Sequence, residues 1–142
     1  MNKIKNALIS VSDKGGLGII LKTLRKNKIN IISSGGTFKS IKKLGFKCKE
    51  ISEYTEFKEM LDGRVKTLHP KIHSGILFKR DKKLHKKQMQ KKKFEPIDLV
   101  IVNFYPFEKI LEKTKNHEKI IENIDIGGPT LVRSAAKNYN DV

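Results

Sequence analysis

The chain has 142 residues, of which 31 are lysine or arginine and 15 are aspartate or glutamate, so its formal net charge is +16. This length is typical of one domain with its own hydrophobic core. The one cysteine, Cys48, excludes an internal disulfide and a cysteine-based metal cluster. The first apolar run is too short for a secretory signal or a membrane span, and we therefore expect a cytoplasmic protein.

The positive charge comes mainly from lysine, since the chain has 27 lysines and four arginines. Residues 79–93 alone contain nine basic residues and one acidic residue. Such a stretch is either a solvated surface or a patch for nucleic acid or another acidic partner. Aromatic side chains do not alternate with these lysines, whereas they do in proteins that bind single-stranded nucleic acid. We therefore favour a solvated helix and expect no nucleic-acid partner.

Short apolar runs alternate with helical patterns along the chain. Residues 7–11, 30–32 and 97–102 are predicted strands buried on both faces, because their apolar runs are continuous. Two weaker strands are predicted at 47–51 and 76–78. Helices are predicted at 17–24, 38–44, 81–93, 107–122 and 129–138. This alternation predicts an α/β fold: an open, doubly wound, mainly parallel sheet with helices on both faces.

Clusters of serine, glycine and threonine follow the first two predicted strands, at the sheet edge where ligands bind in this class of fold. One cluster runs from Ser10 to Lys14 and the other from Ser34 to Thr37. Hydroxyl groups at such positions are usually helix N-caps. A strand-to-helix turn also offers a phosphate group free N–H groups and the positive end of a helix. Together the clusters favour a phosphate monoester as ligand, and neither is a Walker loop, so ATP is not implied.

Residues 62–70 are a predicted loop, because an Asp-Gly turn pair opens them and a proline closes them. We expect an extended segment in which Arg64 and Lys66 point the same way. Two solvated cations on a surface loop are the alternative. His69 stands next to Pro70 and is expected to be structural, not a metal ligand. No metal site is therefore predicted.

The segment 125–138 predicts a helix in which Pro129 occupies the first helical position, directly after Gly127 and Gly128. Spacings of three and four residues divide this helix into a polar and an apolar face. The polar face contains Thr130, Arg133 and Lys137, and the apolar face contains Leu131, Val132, Ala135 and Ala136. The apolar face is expected to pack on the sheet while the polar face borders the ligand crevice.

Two polar positions at this edge have alternative interpretations. Asp125, at the mouth of the last helix, is either a simple cap or the partner of Lys137 or Lys66. Tyr105 follows the third strong strand together with Asn103, and it is either a core ring with its hydroxyl at the rim or a ligand contact.

Five motifs in chain order carry a resemblance to a known family: residues 10–14, 33–37, 63–71, 103–107 and 125–138. Their sequences include Ser-Val-Ser-Asp-Lys, Ser-Ser-Gly-Gly-Thr, Gly-Arg-Val-Lys-Thr-Leu-His-Pro-Lys and Asn-Phe-Tyr-Pro-Phe. They resemble the cyclohydrolase half of AICAR transformylase/IMP cyclohydrolase, from about residue 8 to the last residue. The resemblance implies a fold similar to methylglyoxal synthase. It also implies closure of the IMP ring from FAICAR with loss of water, the last step of de novo purine biosynthesis, without a cofactor.

The resemblance also implies roles for individual residues. Lys137 corresponds to the proton donor and acceptor, supported by Lys66, Tyr105 and Asp125. Phosphate and ribose contacts correspond to Ser12, Asp13, Lys14, Ser34, Gly35, Gly36 and Thr37. Contacts to the base correspond to Arg64, Val65, Lys66, Thr67, Val102, Asn103, Asp125 and Ile126, and the adjoining Gly127 and Gly128 complete the expected substrate site.

By the same comparison, residues 1–142 are expected to be one cyclohydrolase domain, incomplete at its C-terminus and without the transformylase domain. The expected ligands are FAICAR and IMP, and the alternatives for a partner chain are a second copy or a separate transformylase chain. A non-catalytic nucleotide- or phosphate-sensing module of the same fold is the alternative function, and a truncated, inactive remnant is another. The joint presence of Lys66, Tyr105 and Lys137 favours the enzyme.

Overall fold

A computed structural model of the chain describes residues 3–142 and contains a four-stranded, all-parallel sheet in this range. The strands are β1 (Asn6–Ser10), β2 (Asn30–Ser33), β3 (Lys49–Glu50) and β4 (Leu99–Val102). Their order across the sheet is β3-β2-β1-β4. Leu8 of the central strand is in register with Ile32 on one side and Val100 on the other. The predicted parallel α/β sheet is therefore confirmed.

Helices connect the strands and line both faces of the sheet. They are α1 (Leu17–Lys26), α2 (Gly35–Lys43), α3 (Ile51–Thr55), α4 (Pro70–Leu77), α5 (Lys83–Lys92), α6 (Phe107–Lys113), α7 (His117–Glu122) and α8 (Gly127–Lys137). A short 3₁₀ turn, Leu61–Gly63, precedes α4. Within the described range, we find no helix whose length and apolar character would let it span a bilayer.

Strand β1 separates two hydrophobic cores because alternate side chains point to opposite faces of a sheet. Leu8 joins the core formed with Ile72, Ile76 and Leu131 of α4 and α8. Ala7 and Ile9 face the other core, which contains the apolar residues of α1 and α2. The sheet is covered by helices on both sides, as the doubly wound pattern predicts.

Three predicted elements differ from the structure. The predicted strand at 76–78 is wrong, because Ile76 belongs to α4, where it and Ile72 are buried one helical turn apart. A short apolar run does not distinguish a strand from a buried helical turn. The predicted strand at 47–51 is reduced to Lys49–Glu50. The predicted helix 107–122 is two helices, since Asn116 caps a new helix by accepting the Lys119 N–H at 2.9 Å.

The last helix also starts and packs differently from its prediction. It begins at Gly127, so Pro129 is its third residue instead of its first. Its buried side contains Gly128, Leu131, Ser134 and, just beyond its end, Asn138, whereas Val132 and Ala136 are exposed. The predicted apolar face is therefore rotated, because Ser134 and Asn138 have hydrogen-bond partners that allow them to be buried.

The lysine-rich stretch forms α5 as expected, with Met89 as the buried residue of a helix whose other side chains reach solvent. Arg80, directly before it, is held at the amino edge of the sheet. Its guanidinium donates to Asp98 at 3.0 Å, and the Asp98 carboxylate also accepts the N–H groups of Lys5 and Asn6. The largely buried pair joins the loop before α5 to the segment before β4, and the bonds from Lys5 and Asn6 join that segment to the start of β1, at the edge opposite to the candidate site.

Candidate functional site

A cavity of about 550 Å³ opens at the carboxyl edge of β1, β2 and β4. Parallel strands place their carboxyl ends at one edge, so segments distant in the sequence meet there. Fifteen of the predicted site residues line this cavity: Ser12, Lys14, Ser34, Gly35, Gly36, Thr37, Arg64, Lys66, Thr67, Asn103, Tyr105, Asp125, Ile126, Gly127 and Gly128.

Asn103 holds the loop that follows β1. Its side-chain oxygen accepts the N–H groups of Ser12 at 2.5 Å and Asp13 at 3.1 Å, and its amide nitrogen donates to the carbonyl of Asp13 at 2.9 Å. Asp13 in turn accepts the Gly15 N–H at 2.8 Å. Asn103 therefore fixes the shape of the loop after β1. The sequence predicted only a contact between Asn103 and the base of the substrate.

Two lysine ammonium groups lie beside the N-terminus of α2. Lys14 donates to the carbonyls of Val11 and Ser12 at 2.8 and 2.7 Å, which leaves one of its three protons for a ligand. Its Nζ lies 3.9 Å from the position that a Cβ on Gly36 would occupy, and the Lys66 Nζ lies 3.4 Å from the equivalent position on Gly35. Unpaired N–H groups and the helix dipole add positive potential here. The arrangement suits an anion with several oxygens.

The two hydroxyl residues of this second cluster have different environments. Ser34 occupies the N-cap position of α2, yet its side chain makes no capping bond in the described part of the chain. Thr37 is buried, and its hydroxyl donates to the Val11 carbonyl and accepts the Val11 N–H at 2.8 and 3.1 Å. Thr37 therefore ties α2 to the end of β1, while the Ser34 hydroxyl remains accessible to a ligand.

The loop before α4 is not extended, and that prediction is wrong. Asp62 and Gly63 both have positive φ angles, 52° and 89°, and Arg64 has helical angles, so the loop is a tight turn. A Cβ on Gly63 would lie 2.4 Å from the Cε atom of Lys66, so the turn packs directly under the lysine stem. Lys66 pairs with Glu59 at 3.0 Å, and Arg64 pairs with Glu122. Both cations line the cavity while they are ion-paired.

Two histidines make hydrogen bonds at α4, His69 at its N-cap and His73 within it. His69 caps the helix, since its Nδ1 accepts the Lys71 N–H at 3.1 Å, as its predicted structural role requires. His73 Nδ1 is 2.9 Å from the Ser134 hydroxyl of α8. Its Nε2 is buried and has no hydrogen-bond partner within residues 3–142. Burial lowers the pKa of His73 below its usual value, and a weaker interaction with the backbone of Thr67 opposes this.

Two successive glycines allow close packing at the mouth of α8. A Cβ on Gly127 would lie 2.7 Å from the Thr67 hydroxyl, and one on Gly128 would lie 2.6 Å from an oxygen of Asp125. The other oxygen of Asp125 accepts the Gly128 N–H at 2.9 Å. Asp125 therefore satisfies a free donor of the first helical turn while it borders the cavity.

Tyr105 is 51% exposed and lines the cavity, so the interpretation of a core ring is wrong. Four predicted site residues are not part of the cavity wall that the described residues form: Asp13, Val65, Val102 and Lys137. Lys137 is the exposed last residue of α8. At 1.5 Å per residue, it lies roughly 15 Å along the helix from Gly127, the end at which Asp125 lies.

The cavity also contains residues that sequence reasoning missed. Ile121, Glu122 and Ile124 form its wall on the side of α7. Glu122 is paired with Arg64 across 58 positions of sequence, and neither residue carries a local signal of this contact. Asp62 and Gly63 were identified as a turn, although their place in the cavity wall follows only from the tight loop.

Comparison with known proteins agrees with this fold. A family model described as MGS-like domain matches residues 17–130. The chain is 54% identical over 138 residues to the bifunctional purine biosynthesis protein PurH of Clostridioides difficile (strain 630), covering 97% of this chain and 27% of that protein. It is 56% identical over 139 residues to PurH of Clostridium perfringens (strain SM101 / Type A), covering 97% and 28%.

Among solved structures, the crystal structure of ForH has a TM-score of 0.83 and 28% sequence identity, covering 98% of this chain and 71% of ForH. The chain spans just over a quarter of the length of the curated relatives described above. The family model covers most of the chain, from the start of α1 into α8. The chain therefore belongs to the family of MGS-like domains.

Proposed function

We propose that the chain is an IMP cyclohydrolase, which closes the six-membered ring of IMP from FAICAR with loss of water. The observation that carries the proposal is one cavity in which two lysine ammonium groups and the N-terminus of α2 lie with a phenol and a carboxylate. Identity above 50% to proteins named for purine biosynthesis supports it. In this proposal, residues 1–142 represent a single cyclohydrolase domain.

The substrate phosphate would bind at the N-terminus of α2. Among residues 3–142, Lys14 retains one free proton and the Ser34 hydroxyl makes no capping bond, and the N–H groups of Gly35 and Gly36 belong to the first helical turn. Helix N-termini bind phosphate through such N–H groups and the helix dipole. The rest of the nucleotide would then extend toward Arg64 and the mouth of α8, where the other cavity residues lie.

Ring closure then requires two proton transfers. The carboxamide nitrogen attacks the formyl carbon, so a C–N bond forms and the carbonyl oxygen becomes a carbinol hydroxyl. The C–O bond then breaks as the hydroxyl leaves as water, and a C=N bond forms to the formamide nitrogen. The carboxamide and formamide nitrogens must each lose one proton, and the oxygen must be stabilised and receive two. Lys66, Tyr105 and Asp125 all line the cavity and supply these functional groups. The reaction is intramolecular, so correct positioning provides much of the acceleration.

Two lysines are candidates for the proton carrier. Lys66 lies in the cavity beside the N-terminus of α2. Lys137 is the residue that the family resemblance assigns, although it lies at the far end of α8. Lys137→Ala is expected to lower turnover by roughly 10²–10⁴-fold if it transfers the proton, and Lys137→Arg should be nearly as inactive, because arginine stays protonated. If the arginine variant keeps most activity, Lys66 becomes the proton carrier.

The direct test follows conversion of FAICAR to IMP by absorbance, together with calorimetric binding of IMP. Lys14→Ala should weaken binding most, because its ammonium group is proposed to hold the phosphate. Lys87→Ala on α5 is the matched control, since this lysine lies outside the cavity wall. Absence of any conversion by the wild-type chain, with folding intact, would contradict the proposal.

A non-catalytic nucleotide-sensing module is the second candidate. The position of Lys137 outside the cavity wall favours it, because a sensor needs the phosphate site without that lysine. IMP binding without FAICAR turnover would identify this function.

A further inference from the structure

We propose that Glu122 is a positioning residue, which holds the guanidinium of Arg64 at the cavity and fastens the α6–α7 hairpin (Phe107–Glu122), whose α7 end lines the cavity. The inference rests on the proposed function in one respect: Arg64 is taken as a substrate contact. Nothing in the local sequence marks Glu122, and its assignment follows from its ion pair with Arg64.

The pairing geometry leaves Arg64 able to bind a ligand. Glu122 accepts from Nε of Arg64 at 3.2 Å through one oxygen and from Nη2 through the other, so it occupies one edge of the guanidinium. Arginine has five N–H donors in a rigid plane. Both protons of Nη1 and one of Nη2 remain available on the opposite side. A planar, two-bond pair therefore orients the guanidinium without blocking it.

Arg64 needs such a partner because its own surroundings restrain it little. Its side chain is 63% exposed, and that of Glu122 is 54% exposed. A long, exposed side chain samples many rotamers unless a directional contact selects one. The bidentate pair supplies that selection. Hydrogen bonding to Arg64 also lowers the pKa of Glu122.

The same pair anchors a weakly packed part of the fold. Every residue of Phe107–Lys113 and His117–Glu122 is exposed or half-buried, so these two helices contribute little buried apolar surface. Segments with few buried contacts open locally at low cost in free energy. Ile121 and Ile124 flank Glu122 and line the cavity. Fastening Glu122 to Arg64 therefore also keeps this apolar wall in place.

The test compares Glu122→Gln, Arg64→Gln and the double variant, with Glu118→Gln on the same helix as control. The KM of Glu122→Gln for FAICAR should rise about two- to fivefold, because the loss of one exposed ion pair has an effect of this size, and kcat should be unchanged. When Arg64 is already replaced by Gln, Glu122→Gln should not change KM further, because Glu122 is proposed to affect substrate binding only by orienting Arg64. Glu118→Gln should behave as wild type.

Hydrogen exchange without ligand provides a readout that is independent of catalysis. Amides of α6 and α7 should exchange faster in both Glu122→Gln and Arg64→Gln than in Glu118→Gln. Unchanged exchange, or additive effects of the two substitutions on KM, would overturn the inference. If the wild-type chain fails to convert FAICAR while exchange responds as expected, the proposed activity is wrong but the fastening of the hairpin stands.

Discussion

Asp125 has two roles in the structure that substitution can separate. One oxygen accepts the Gly128 N–H at 2.9 Å at the start of α8, and the residue also lines the cavity. Asp125→Asn keeps an oxygen acceptor of the same reach and removes the charge. Asp125→Ala removes both. Comparing the two variants therefore assigns any change in stability to the hydrogen bond and any change in turnover to the carboxylate.

The magnitude follows from the lost hydrogen bond. Replacing a capping Asp by Ala costs about 0.5–2 kcal/mol, whereas Asn caps nearly as well. For 142 residues, an unfolding entropy of about 2.1 cal/mol/K per residue amounts to about 0.3 kcal/mol/K. Asp125→Ala should therefore lower Tm by about 2–7 °C, and Asp125→Asn should lower it by about 1 °C or less.

Differential scanning calorimetry measures the two Tm values, and FAICAR conversion measures turnover. If the carboxylate takes part in ring closure, both variants should lose activity to a similar degree despite their different stabilities. Full activity in Asp125→Asn would reduce Asp125 to a cap. An unchanged Tm in Asp125→Ala would refute the reasoning from the hydrogen bond.

Three further predictions concern stability and charge. Asp98→Ala should lower Tm by about 10 °C, because removing one partner of a largely buried ion pair costs about 3 kcal/mol or more of unfolding free energy. A decrease in Tm no larger than that expected for breaking an exposed ion pair would contradict this prediction. Burial lowers the pKa of His73 in the folded chain. As pH falls below about 6.5, this histidine is therefore protonated in the unfolded chain before it is protonated in the folded chain. The free energy of unfolding should decrease over this range, until pH reaches the pKa of the folded state. Urea unfolding between about pH 7.5 and 5.5 should show a weaker pH dependence in His73→Gln, and an identical dependence would exclude this contribution. Changing six lysines within 79–93 to Gln should leave FAICAR conversion nearly unaltered, and lost activity with intact folding would assign this stretch a function.

The sequence by itself determined the class of fold and the edge of the sheet where the cavity lies. Continuous apolar runs predicted the buried strands, since a strand covered on both faces excludes polar side chains. The Ser/Gly/Thr clusters and Asn103 follow those strands, and parallel strands must bring their carboxyl ends together. Both features can be predicted locally, because a buried strand requires a run of apolar residues and the cluster at its carboxyl end follows directly in the sequence.

The tertiary structure alone decided how individual polar groups are used. Thr37 and Asn103 were predicted ligand contacts, yet their side chains hold the loop after β1. Arg64 was expected in an extended segment and instead pairs with Glu122 from a distant helix. Exposed side chains can pair with many partners, and the choice among them depends on which segments the fold brings together. Local periodicity contains no information about that choice.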